Sequence, residues 1–150
     1  MDTAYKIESN HSNQDSIFSK NLIEKAKHVL ETTDFPTSRT EAWKYTRVAK
    51  IKNTDFKTSR FQDFKTLNLS KFLIPDLEGS VLVFVNGFFS SDLSKIENEE
   101  GLEISPISER TKFSDTFLGN LVPLENEIFS AINTIYATDG VCVRIKEKTI

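Results

Sequence analysis

Val81-Leu82-Val83-Phe84-Val85-Asn86-Gly87-Phe88-Phe89-Ser90 carries the strongest β signal in the chain and decides its fold class. Asn-Gly suits the two positive-φ positions of a type I′ turn, and apolar arms on either side predict a hairpin. The first arm is apolar throughout, as expected of a strand covered on both faces or centrally placed. Working outward, Leu102-Glu103-Ile104-Ser105 alternates and fits a third strand, ended by Pro106. Val141-Cys142-Val143-Arg144-Ile145 reads as another strand, Lys146-Glu147-Lys148 as a turn, and Thr149-Ile150 as the start of a further strand. Helical periods flank these segments. From Asp15 to Thr33, Phe18, Leu22, Ala26, Val29 and Leu30 recur at the spacing of one helical face. A shorter helix is predicted from Phe113 to Asn120. A better one runs from Leu124 to Thr138, with Leu124, Ile128, Ile132, Ile135 and Tyr136 on one stripe. Asp139-Gly140 closes it, the glycine taking the left-handed C-terminal position. Residues 52–72 read as a loop with a short strand near Thr66 to Leu69. The class is α+β: helices packed with a small antiparallel sheet centred on the hairpin.

Composition bounds what such a domain does. The chain has 150 residues, with 38% hydrophobic, 27% charged and 11% aromatic residues, 12 of them phenylalanine. That suffices for one core. Its formal net charge of −3 does not favour non-specific grip on nucleic acid or anionic lipid. The five glycines are too far apart to form a phosphate-binding loop. Cys142 is the single cysteine, so no internal disulfide forms. The polar start, Met1-Asp2-Thr3-Ala4-Tyr5-Lys6, lacks the apolar stretch of a signal peptide, and the expected compartment is the cytoplasm.

Candidate chemistry is sparse. His11, His28 and Cys142 lie in unrelated segments. Glu24 and His28, four apart on a helix, could share a metal ion, against the plainer reading of a helical ion pair or solvated face. Cys142 between valines reads as an inert strand residue. No serine has a base or a glycine-flanked elbow. Glu99-Glu100 belongs to a polar loop. The stretch from Lys52 to Phe72 interleaves bases and phenylalanines, yet Asp55 and Asp63 interrupt it. Phenylalanines anchoring a loop explain it better than base stacking.

Phe35-Pro36-Thr37-Ser38-Arg39-Thr40-Glu41-Ala42-Trp43-Lys44-Tyr45-Thr46 remains. Asp34-Phe35-Pro36 stops the first helix. Ser38 and Glu41 have capping-box spacing, placing Trp43 and Tyr45 in a short helix. Thr46 caps a further turn carrying Val48 and Ile51. Two readings fit: a core plug around the single tryptophan with its charges in water, or a docking surface rich in the residue types of interface hot spots. The candidate docking residues are Pro36, Arg39, Glu41, Trp43, Lys44 and Tyr45.

This segment closely resembles the N-terminal signature of the SufB/SufD family of iron–sulfur cluster assembly proteins, in its SufD form. Val83-Phe84-Val85-Asn86-Gly87 with Leu93-Ser94, and Ala131-Ile132-Asn133-Thr134 with Asp139-Gly140, resemble later family segments in the same order. Departures are small: Asp34 stands where glycine is common, and Ile135-Tyr136 where a small residue and phenylalanine are. SufB lacks the tryptophan signature, so the SufD type is preferred. The resemblance implies a right-handed parallel β-helix, absent from this chain, following the α+β region. It also implies pairing with a SufB-like subunit, docking of the SufC-like ATPase on C-terminal segments, and a cluster formed between SufB and SufD. Those parts lie beyond Ile150, so no cluster ligand or catalytic residue carries over.

The expected organisation is a flexible tail over 1–13, the α+β domain over 14–140, and over 141–150 a first strand and turn leading toward the missing core. The expected function is that of a non-enzymatic scaffold part that itself holds no catalytic residue, cofactor or metal, and touches neither nucleic acid nor membrane. Its rivals are a stand-alone interaction module sharing the motif and a small enzyme of unassigned chemistry.

Overall fold

The computed structural model of the chain describes residues 7–8, 16–59, 61, 67–97, 100–109 and 112–147. In chain order its elements are β1 (Ile7–Glu8), α1 (Lys20–Thr32), a 3-10 turn (Glu41–Trp43), α2 (Ala49–Lys52), β2 (Phe56–Lys57), β3 (Phe84–Val85), β4 (Phe88–Phe89), β5 (Leu102–Pro106), a second 3-10 turn (Ile107–Glu109), α3 (Lys112–Phe117), α4 (Ile128–Tyr136) and β6 (Val141–Ile145). The fold is α+β, with two small antiparallel sheets, β3–β4 and β5–β6, and a two-residue parallel pairing of β1 with β2. Two compact units divide the chain: residues 1–58 with 116–137, and residues 59–115 with 138–150. Apart from β1, the predicted tail over 1–13 lies outside the described residues, as do Thr66 and the last residues, 148–150.

The first unit is built on α1 and α4. Ser19 starts α1 by accepting a hydrogen bond from the Leu22 amide on its hydroxyl, at 3.3 Å. The helix therefore opens at Lys20, later than the periodicity from Asp15 suggests, and Phe18 precedes it. Ile23 and Ala26 are its buried residues, while Leu22, Val29 and Leu30 are half-buried. Thr33 is extended and ends the helix, its amide donating to Val29 O. α4 is also shorter than its stripe suggests. Asn126 adopts φ +59°, which interrupts any helix running in from Leu124. Ile128, Ala131 and Thr134 form its buried face. Ala137, extended, ends it. The core joins Phe35, Val48 and Ile128, with Leu30, Trp43, Phe129 and Ile132 packed around them. Gly119, at φ +78°, turns the chain against α1, where a Cβ would stand 2.5 Å from Leu22 Cδ2. The positive φ favours glycine there, while the near neighbour is the movable tip of the Leu22 side chain.

The second unit holds the two ribbons. Asn86 (φ +53°) and Gly87 (φ +89°) make the I′ turn, pairing Phe84 with Phe89 and Val85 with Phe88. Only Phe84–Val85 of the apolar arm forms a regular strand, because the return chain bends after Ser90. The rest of the arm still finds partners. The Ser90 amide donates to Val83 O, the Val83 amide donates to Ser94 Oγ at 2.9 Å, and Val81 and Lys95 exchange two backbone bonds. The Ser94 hydroxyl thus fills the ladder position that the bend vacates.

Leu102–Pro106 does not join the hairpin as a third strand; it pairs antiparallel with Val141–Ile145 in a separate sheet. Pro106 is the last residue of β5, which ends there as expected, with the second 3-10 turn starting at Ile107. Lys146 N donates to Gly101 O and Ile107 N to Gly140 O, so hydrogen-bonded pairs fall on the odd positions of β5. Pro106, opposite Val141, occupies a non-hydrogen-bonded pair, where a missing N–H costs nothing. Gly140 is not left-handed, so it does not cap α4 as expected. Its use is close packing: a Cβ there would lie 3.3 Å from Ile107 Cδ1. The Asp139 carboxylate beside it accepts from two amides, Phe89 N on Oδ2 and Gly140 N on Oδ1, each at 2.7 Å, and so ties the hairpin to the approach to β6. Leu67–Leu69 forms no strand; the short strand of this region is β2.

Candidate functional site

The segment from Asp34 to Lys52 is a succession of tight turns hung on three inward side chains. Phe35 and Val48 are buried and Trp43 is half-buried against them. The Trp43 ring lies 5.1 Å from that of Phe129, tilted by 34°, and Phe35 meets the same ring edge-on at 5.6 Å. Backbone bonds close each turn: Thr40 N to Thr37 O, Trp43 N to Thr40 O, Thr46 N to Trp43 O and Ile51 N to Val48 O.

Local hydrogen bonding explains why the expected capping box does not form. Thr40 Oγ1 accepts from Thr37 N and Thr37 Oγ1 from Arg39 N, both at 3.2 Å, so threonines organise the turn that Ser38 and Glu41 were expected to cap. The 3-10 turn stops at Trp43, and Tyr45 stands in the bend after it rather than in a shared helix. α2 follows with Val48 at its start and no side-chain cap, so Thr46 does not cap it; Ile51 is exposed.

Between the anchors most side chains face solvent. Arg39, Glu41, Lys44, Tyr45, Arg47 and Lys50 are exposed, Tyr45 at 91%, and Pro36 is half-buried. Lys44 Nζ sits 5.4 Å from the centroid of the Tyr45 ring, a cation–π distance. Lys52 reaches Asp34 at 3.7 Å. The six signature residues are strung along this succession of turns, with Trp43 inward, Pro36 half-buried and Arg39, Glu41, Lys44 and Tyr45 outward. Sequence reasoning missed Arg47 and Lys50, which are exposed in the same segment. Their signal was the three-residue spacing Lys44, Arg47, Lys50.

The other candidates separate. Glu24 pairs with Lys27 at 2.8 Å on the exposed side of α1, and His28 is exposed beside it. Cys142 is half-buried in β6, opposite Ser105. His11 and Glu99 lie outside the described residues, as do Arg60, Asp63, Phe64 and Lys65 of the basic-aromatic stretch. Phe61 packs edge-on against Phe88 at 5.9 Å but is itself exposed, as are Phe56 and Phe72, so the described phenylalanines of this stretch are not the buried anchors expected. Among the described residues no three His, Cys, Asp or Glu side chains are grouped to hold a metal ion. Nor, among them, is any helix long and apolar enough to cross a membrane.

Residues 5–150 match the family model described as the SufBD protein N-terminal region, and the chain belongs to that family. It is similar to an iron–sulfur cluster assembly SufBD family protein of Synechocystis sp., with 28% identity over 140 residues. The match covers 91% of this chain and 31% of that relative, so the chain spans about a third of the relative's length.

Proposed function

We propose that the chain is the N-terminal domain of a SufD-like subunit, a non-enzymatic scaffold part of a SufB–SufC–SufD-type complex that assembles iron–sulfur clusters in the cytoplasm. The observation that carries this reading is the signature turn. Its tryptophan packs into the core with Phe35 and Phe129, while Arg39, Glu41, Lys44 and Tyr45 project from it. A segment held that firmly, with its polar and aromatic tips outward, suits partner contact rather than chemistry. Family membership and the relative's printed role in iron–sulfur cluster assembly support the same reading. The cluster is then the product of the whole complex, and SufB-like and SufC-like subunits are the partners. The proposed layout keeps the α+β region over 14–140 and a β6-led approach to a following core.

Co-purification tests it. The chain, tagged and mixed with SufB-type and SufC-type subunits of its own source, should be retained with them. An Arg39→Ala, Tyr45→Ala double variant should fold and be retained less. Failure of the unaltered chain to associate would sink the proposal.

A further inference from the structure

We infer that the basic-aromatic segment from Arg39 to Lys52 docks, through its exposed side chains, an acidic segment of a protein partner. The inference rests on the docking reading above and adds the chemistry of the partner. Between Asp34 and Lys52 stand five cations, Arg39, Lys44, Arg47, Lys50 and Lys52, against two carboxylates, Asp34 and Glu41, in a chain whose net charge is −3. Asp34 is engaged by Lys52. Among the described residues Arg39, Lys44, Arg47 and Lys50 form no salt bridge, unlike Lys27, Lys95, Arg144 and Lys146, each of which has a glutamate. A local surplus of unpaired cations on an otherwise acidic chain creates a field that selects anionic partners.

Three features favour carboxylates of a protein over other anions. Tyr45, between these cations in the sequence, is exposed with Lys44 against its ring, offering apolar area beside charge, as protein interfaces do. Phosphate-backbone binding draws on many neutralised phosphates spread along an extended basic surface, whereas the surplus cations here are confined to one short segment. Membrane-surface attachment uses an extended amphipathic helix, whereas α2 spans only Ala49–Lys52. The turn is also held in place before binding by Phe35, Trp43 and Val48, so few degrees of freedom remain to be frozen on docking.

The test is fluorescence anisotropy on the whole chain, with a labelled synthetic peptide of Glu and Asp residues around one Leu-Phe pair as probe. A single-stranded oligonucleotide and phosphatidylserine vesicles are run in parallel. Expected is peptide binding that weakens with salt, falls about tenfold or more in the Lys44→Glu, Arg47→Glu, Lys50→Glu variant, and falls several-fold in Tyr45→Ala, with unchanged thermal melts. If the triple variant fails to fold, the single Arg47→Glu and Lys50→Glu variants carry the test, each expected to weaken binding. Equal binding by the reversed and unaltered chains would overturn the inference, as would binding of the oligonucleotide or vesicles without the peptide. Retention of SufB-type and SufC-type subunits without peptide binding overturns the acidic-segment chemistry alone. Loss of both removes the docking reading as well.

Discussion

Trp43 and Tyr45 are two positions apart and take opposite roles. The indole packs against Phe129 inside the first unit, while the phenol is 91% exposed. Trp43→Ala should therefore cost about 3 kcal/mol, the low end for a large aromatic because the side chain is only half-buried. Tyr45→Ala should stay within about 0.5 kcal/mol of the unaltered chain. Denaturant titration of both variants checks the pair, and equal losses would contradict this assignment. Asp139 is the other residue whose role was hidden. Read as a helix stop, it is an acceptor for the amides of Phe89 and Gly140. Asp139→Ala strands both donors in a half-buried place and should cost about 1.5–3 kcal/mol, with faster hydrogen exchange at the Phe89 amide. Nothing in the sequence near Asp139 could reveal this, because its partner lies fifty residues earlier in the chain.

Elements fixed by local geometry were legible. Asn86-Gly87 specifies its turn through two positive φ angles, whereas the start of α1 was not legible, because the Ser19 hydroxyl, not the apolar period from Asp15, sets it at Lys20. Elements fixed by pairing were not legible either. Leu102–Pro106 alternates as any strand does, and only registry with Val141–Ile145 assigns it to a sheet separate from the hairpin. That sheet also carries a pH response. Glu103 of β5 takes Lys146 at 2.9 Å and Arg144 at 3.4 Å. The hydrogen bond and charge of Lys146, then Arg144, hold its carboxyl below the usual carboxylate range. A depressed folded pKa means the contribution is present above the unfolded value and is lost as acid protonates the folded group. The β5–β6 amides should thus lose protection, measured against their intrinsic exchange rates at each pH, as acid protonates Glu103 below the usual carboxylate range, and Glu103→Gln should flatten that dependence. Because Glu103 is solvent-exposed, added salt should shrink the effect. An unchanged pH profile in Glu103→Gln would remove the pair from the account.

For the whole molecule, the scaffold reading makes one chemical prediction. The chain reconstituted anaerobically with iron and sulfide should develop no stoichiometric cluster absorbance, since its described His, Cys, Asp and Glu residues converge nowhere. A stoichiometric band lost in Cys142→Ser would overturn it. By itself the sequence determined the α+β class, the hairpin, and the family to which the signature around Trp43 belongs, because turn chemistry, hydrophobic period and short motifs are local properties of the chain. Only the tertiary structure decided that Trp43 turns inward while Tyr45 turns out, that Asp139 fastens the hairpin, and that Arg39, Lys44, Arg47 and Lys50 form no salt bridge among the described residues. Those outcomes depend on which distant segment supplies each packing surface or hydrogen-bond partner, and that is set by the path of the folded chain rather than by residue spacing.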